Sequence, residues 1–161
     1  MTYKTHFVGG ICAVVLATSV LELPVVDTAV VTAVSGFSAL IPDIDIEGSK
    51  ANKALGMLGK GFASISHHRG FFHTPILYLI LARLIYIFSP VLAIGFGIGT
   101  FSHLVLDTFN YKGIMWLWPL TKKHYHIARV KTRSVGENIF MVAMIAITVI
   151  SYLHIRGTIG I

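Results

Sequence analysis

The stretch VLAIGFGIGTFSHLVLDT, residues 91–108, decides the fold. It is almost wholly apolar until His103 and Asp107 close it, and it has the length of a helix crossing a hydrocarbon layer, which takes about 20 residues. Gly95, Gly99, His103 and Asp107 follow one another by four, so at about 3.6 residues per turn they share one face. Glycines on that face let another helix approach closely. The same face then carries an imidazole and a carboxylate, which are costly in lipid and are satisfied inside a bundle. A hydrogen-bonded His/Asp pair and a pair of metal ligands account for them equally well at this point.

The rest of the chain is of the same kind. Of 161 residues, 55% are hydrophobic and 12% charged, and the mean hydropathy is +0.76. A soluble domain carries about 25% charged residues, so this chain cannot cover a soluble globule, and its apolar content excludes a disordered one. Cys12, the one cysteine, lies inside an apolar run, which argues against a disulfide scaffold. Apolar segments at 7–21, 25–42, 74–89, 91–108 and 138–155 predict five transmembrane helices, the shorter ones tilted or in locally thinned bilayer. The expectation is an all-α polytopic membrane bundle forming a single domain over 1–161. The first segment also has features of a signal peptide, Lys4 ahead of the apolar run and Ala17-Thr18-Ser19 late in it, but His6 ties it to the polar pattern below.

With the N-terminus in the cytoplasm, the loops 43–73 and 109–137 are cytoplasmic and the C-terminus lies outside. Eleven of the thirteen Lys and Arg then fall inside, as the positive-inside rule expects; Arg83, within the third span, and Arg156 are the exceptions. The formal charge of +6 therefore marks a membrane side. Trp116 and Trp118 next to the basic tract 122–133 fit an aromatic belt over anionic headgroups, and no nucleic-acid partner is expected. In the first inner loop Ala51, Leu55, Leu58, Phe62 and Ile65 recur at helical steps, which predicts one amphipathic helix lying in the inner interface.

That topology rests on Lys and Arg alone, so His and Asp test it independently. His6 opens the first span, Asp43 and Asp45 close the second, His67, His68 and His73 precede the third, and His103 and Asp107 end the fourth. All are at cytoplasmic ends. The first span repeats the small-residue device with His6, Gly10, Ala13 and Ala17, and the second with Ala29, Ala33, Gly36 and Asp43. Three spans are thus expected to pack through small residues and to point their last polar groups into one pocket. Thr74-Pro75 reads as an N-cap and first helical position, whose positive end favours anions. Arg69 adds a bidentate clamp for phosphate or carboxylate.

Imidazoles with carboxylates suit zinc or another divalent transition metal; manganese and iron fit the same donors. More candidates than the four ligands of a structural zinc site imply more than one ion, or an outer set of residues that orient the ligands. A pair of ions is suited to displacement at phosphorus. Each residue also has a plainer reading. A histidine at a helix end hydrogen-bonds at the interface, and Asp43-Ile44-Asp45 after Pro42 ends a helix in a turn. Convergence is what favours a site. His124 and His126 in the basic tract and His154 on the opposite side are left out of it, and His67 is dispensable beside His68.

In order and spacing these fragments resemble the YdjM-like family, described as LexA-regulated, membrane-bound, metal-dependent hydrolases. The resemblance rests on Thr5-His6, on Ile41-Pro42-Asp43-Ile44-Asp45 with Ser49, on His68-Arg69-Gly70-Phe71-Phe72-His73-Thr74, and on Ser102-His103-Leu104-Val105-Leu106-Asp107. Gly113 and Leu117-Trp118-Pro119 continue it. It implies an inner-membrane protein whose metal residues are His6, Asp43, Asp45, His68, His73, His103 and Asp107. By more distant similarity it implies kinship with zinc-dependent phospholipase C and related phosphodiesterases. The chain departs from the family at Ile46 and Phe72, where members often have His and Thr, and at Asn110 and Tyr111-Lys112, where Thr-Pro commonly precedes the glycine. An outer ligand and the headgroup recognised are the features these departures touch.

The expected function is hydrolysis of a phosphoester, of a lipid or a lipid-linked molecule, at the cytoplasmic leaflet with one or two divalent ions. Asp45 or Asp107 is the expected general base, and Arg69 with the third helix's N-terminus stabilises negative charge. A metal or proton transporter is the rival reading; it needs a polar route to the outer face, of which Arg83 and scattered Ser and Thr give only a trace. A structural metal site would leave no open coordination position. The His-Glu-x-x-His pattern of a metalloprotease is absent.

Overall fold

Helices form where the apolar segments lie. The computed structural model describes residues 1–65 and 71–159; His67, His68 and Arg69 lie outside the described residues. The helices are α1 (Tyr3–Leu21), α2 (Val25–Ser38), α3 (Lys50–Ala54), α4 (Met57–Ile65), α5 (Pro75–Phe88), α6 (Pro90–Thr108) and α7 (Val135–Ile159), with short 3-10 turns at Ile41–Asp45 and Phe71–His73. The class is all-α. Among the described residues, three segments are long and apolar enough to cross a membrane, Val25–Asp45, Pro90–Thr108 and Val135–His154, and Tyr3–Ala17 and Pro75–Phe88 are shorter apolar stretches.

α1, α2 and α6 pack mutually, α5 lies against α6, and α7 lies against α1. Small residues permit this. A Cβ on Gly95 would run into Val31 and Val34, and one on Gly99 into the Ser35 carbonyl and the Ser38 hydroxyl. Gly10 meets α2 in the same way, at Ser35 and Ala39. The stripe expected on α2 is corrected here: Ala29 and Ala33 are exposed, and the buried face is Val31, Ser35 and Ser38, with Gly36 against Phe7 and Ile11. Serine is nearly as small as alanine, but its hydroxyl needs a partner away from water. Ser35 finds one by donating to the Gly10 carbonyl at 2.8 Å, and Ser38 donates to the Gly95 carbonyl at 3.3 Å.

Two further expectations change. The single interfacial helix is two helices, α3 and α4, separated at Leu55-Gly56, where Gly56 takes a left-handed φ of +55°. Met57 and Leu58 remain exposed as an apolar edge, and the side chains of Phe62 and Ile65 lie outside the described residues. Thr74 has the extended backbone of an N-cap, but its hydroxyl donates back to the Phe71 carbonyl at 2.7 Å and does not cap α5. Below α6 the basic loop is folded: Ile114 is buried with Tyr78, Phe96 and Leu104, and Trp116 Nε1 donates to Thr108 Oγ1 at 2.9 Å.

Candidate metal centre

Four separate segments deliver the site. α1 brings His6 in its first turn, the Ile41–Asp45 turn brings Asp43 and Asp45, the Phe71–His73 turn brings His73, and α6 brings His103 and Asp107. The Asp turn is fixed locally. Ser49 caps α3 by accepting from Asn52 N at 3.0 Å, and its hydroxyl donates to the Asp43 carbonyl at 2.7 Å. Buried Asn52 ties the Ile44 carbonyl at 2.9 Å.

The side chains of His6, His73 and His103 are fully enclosed, as are those of Asp45 and Asp107; Asp43 is the partial exception, 13% exposed. His6 Nε2 lies 3.4 Å from Asp107 Oδ1. His73 Nε2 lies 3.6 Å from Asp43 Oδ1 and 3.9 Å from Asp107 Oδ2. His103 Nε2 lies 3.7 Å from Asp43 Oδ1 and 3.8 Å from Asp107 Oδ2. The rings of His6 and His103 stack at 3.7 Å. Two triads result, His6–Asp43–His103 and His73–His103–Asp107, each with its donor atoms within 4.8 Å of one another. The N-terminal ammonium of Met1 donates to Asp107 Oδ1 at 2.7 Å.

The His73 and His103 separations from Asp43 and Asp107, 3.6 to 3.9 Å, are longer than ordinary hydrogen bonds and close to what a shared ion imposes, since metal–ligand bonds of about 2.0–2.2 Å set neighbouring donors about 3–3.5 Å apart. Among the described residues, both ring nitrogens of His6, Nε2 of His103 and both oxygens of Asp45 have no hydrogen-bond partner despite burial. Buried polar atoms are rarely left so. His103 shows how such a group is prepared: its Nδ1 lies 2.7 Å from the Ala39 carbonyl, which can only accept. Nδ1 therefore carries the hydrogen, and the Nε2 lone pair is left for an ion. Buried His and Asp groups of this kind can hold a metal.

Asp45 belongs to neither triad. It meets the other edge of the His73 ring, Nδ1, at 3.7 Å from Oδ2, which places it behind that imidazole. Burial alone would lower the His73 pKa, but the Asp43 and Asp45 carboxylates on its two edges carry it from 6.5 up to about 9.

The described polar positions are thus carried on one scaffold, and the chain matches the family model described as YdjM inner membrane protein over residues 1–159. It belongs to the YdjM family of inner membrane proteins. It is similar to the uncharacterized protein YvsG of Bacillus subtilis (strain 168), with 32% identity over 146 residues covering 89% of each chain. No solved structure matches the chain.

One residue of this YdjM-family chain escaped the reading of its sequence. Glu137, 1% exposed, accepts from Thr2 N, from Thr5 Oγ1 at 2.7 Å and from Arg133 N at 2.6 Å. It clamps the start of α1, and with it His6, to the start of α7. A signal existed. Ser134-Val135-Gly136-Glu137 has capping-box spacing, and Ser134 Oγ accepts from Glu137 N at 3.2 Å. His124 and His126 are exposed in the loop and belong to neither triad.

Proposed function

We propose that this chain is a metal-dependent hydrolase of a phosphoester, of a lipid or a lipid-linked molecule, acting at the cytoplasmic leaflet of the inner membrane with zinc as its resident ion. The convergence of five enclosed or nearly enclosed His and Asp side chains at ligand spacing, with orphaned donor atoms on His6 and His103, is the observation that supports it. A divalent ion supplies Lewis-acid polarisation of a phosphoryl oxygen and activation of water. His6, Asp43, His73, His103 and Asp107 are the residues that would hold it; manganese and iron fit the same donors.

The remaining roles are assigned as follows. Asp45 or Asp107 is the general base in this reading, each held among the histidines of the cluster. Asp43, the partly exposed carboxylate, lines the basic cavity and keeps Oδ1 near His73 and His103. Asp45 orients His73 through Nδ1, much as a carboxylate behind a ligating histidine fixes its ring. Arg69 and His68 keep the roles read from sequence, an anion clamp and an added ligand. The N-terminus is cytoplasmic and the C-terminus outside in this reading, on the strength of the Lys and Arg distribution.

Elemental analysis of the folded chain in mild detergent tests the proposal. One or two zinc, manganese or iron ions per protomer in the wild type, lost in His103→Ala and Asp107→Ala, together with phosphate release from phosphoester lipids, is the expected result. A folded wild type that takes up no stoichiometric metal after resupply refutes it.

A further inference from the structure

Two cavities meet above the metal centre. The larger, of about 910 Å³, has Asp43 in its wall and carries Lys4, Lys50, Lys53, Lys112 and Arg133 against Glu47 and Asp43. Five cationic side chains thus face two carboxylates. The second, of about 570 Å³, is an apolar groove between α1, α2 and α7, lined by Phe7, Val8, Phe37, Leu40, Met141 and Ile145. Tyr3, Lys4 and Lys50 line both, and Lys50 Nζ sits 5.4 Å over the Tyr3 ring. A basic basin therefore passes into a hydrocarbon-lined groove on the lipid side of the bundle, with two amphipathic lysines at the join.

We propose that basin and groove are one lipid site. The headgroup of a lipid phosphomonoester or diphosphate lies in the basin beside Asp43, and its hydrocarbon chain runs past Tyr3, Lys4 and Lys50 into the groove. The inference rests on the phosphoester reading above and narrows it. A phosphodiester headgroup brings one negative charge, whereas a terminal phosphate brings about two at neutral pH, which matches the excess of cations in the basin. A soluble phosphate would engage the basin alone, whereas a lipid engages both the basin and the apolar groove that shares Tyr3, Lys4 and Lys50 with it. The groove follows the first turns of α1, the last turn of α2 and the second and third turns of α7, so a chain seated there enters the bilayer at the level of the site.

Binding without turnover tests this, using the full chain in mild detergent loaded with metal, and two probes that cannot be hydrolysed because P–C bonds to a bridging carbon join their phosphorus atoms: methylenediphosphonate (the free probe) and the same diphosphonate with a long alkyl chain on its bridging carbon (the alkyl probe). The alkyl probe is expected to bind at least tenfold more tightly than the free one. Lys53→Gln, Lys112→Gln and Arg133→Gln together are expected to weaken both probes tenfold or more. Val8→Trp with Ile145→Trp, which fills the groove, is expected to weaken the alkyl probe alone. Equal affinity for the two probes, or a filled groove that leaves the alkyl probe unaffected, overturns the seat of the chain and points to a soluble substrate. A basin variant that binds both probes as the wild type does overturns the headgroup site. Stoichiometric metal with no binding of either probe overturns this inference and leaves the hydrolase reading intact, whereas the expected probe pattern in a protein that takes up no metal supports the lipid site and removes the hydrolase.

Discussion

α6 and α7 are both apolar and both long enough to span a bilayer, yet 56% of the most apolar part of α6 is buried in the protein and only 11% of that of α7. Hydropathy reports the solvent that both helices share. Residue size reports their neighbours. α6 carries Gly95, Gly99, Thr100 and Ser102 on its buried face, so α2 can lie against its backbone, while α7 turns Val142, Ile147 and Ile150 outward. Without a hydrophobic drive between helices in lipid, close packing and buried hydrogen bonds choose the inner helix. The inner helix is also the one that supplies two ligand candidates. α7 reaches the site indirectly, through Glu137, the buried residue of its otherwise exposed first turn.

Gly99→Ala is the hardest blow to that contrast. Its Cβ would meet the Ser35 carbonyl and force α6 off α2, which is expected to cost about 3 kcal/mol and to weaken metal binding by pulling His103 from the Ala39 carbonyl. Gly97→Ala, two residues away, is the control: its Cβ only touches Ala82 at 3.9 Å, and it should be neutral or stabilise by up to about 1 kcal/mol. Thermal unfolding in detergent distinguishes them, and equal losses would mean that the face is not what orders α6.

Glu137→Ala removes the buried carboxylate that ties α7 to the start of α1 and strands the donors of Thr2, Thr5 and Arg133. A loss of about 2 kcal/mol is expected, with reduced metal affinity because His6 is released with α1. Unchanged stability and metal binding would show that α7 has no part in holding the site.

A smaller, pH-dependent effect belongs to His73. Its imidazolium is favoured by folding, since the pKa rises from 6.5 to about 9, so in the metal-free protein this contribution is complete below 6.5 and lost as the pH rises through 9. The melting temperature of the metal-free protein should therefore fall across that window. An ion needs the neutral ring, so metal affinity should instead rise with pH, by up to about tenfold per unit, until about 9. Titrations of apparent affinity from pH 6 to 9.5 check the sign, and a flat profile would remove His73 from the ligands.

Ile147→Ala on α7 is expected to do least, within about 0.5 kcal/mol, because its side chain already faces outward. A larger loss would mean that this face is covered.

The sequence by itself determined the helical class, the five apolar segments and the membrane as solvent, because these follow from composition and the length of apolar runs. It also indicated His6, Asp43, His73, His103 and Asp107, because costly polar groups recurring at one end of several spans need a common explanation. Tertiary structure decided the rest. Whether Ala29 or Ser35 faces α6 depends on which small residue can also satisfy a hydroxyl across the interface. Whether Asp45 meets an ion or the back of His73 depends on how a 3-10 turn is held by Ser49 and Asn52. The capping-box spacing marked Glu137 as a helix start, but its role as a clamp was decided only where the start of α7 met the start of α1, because those contacts join residues more than 130 positions apart.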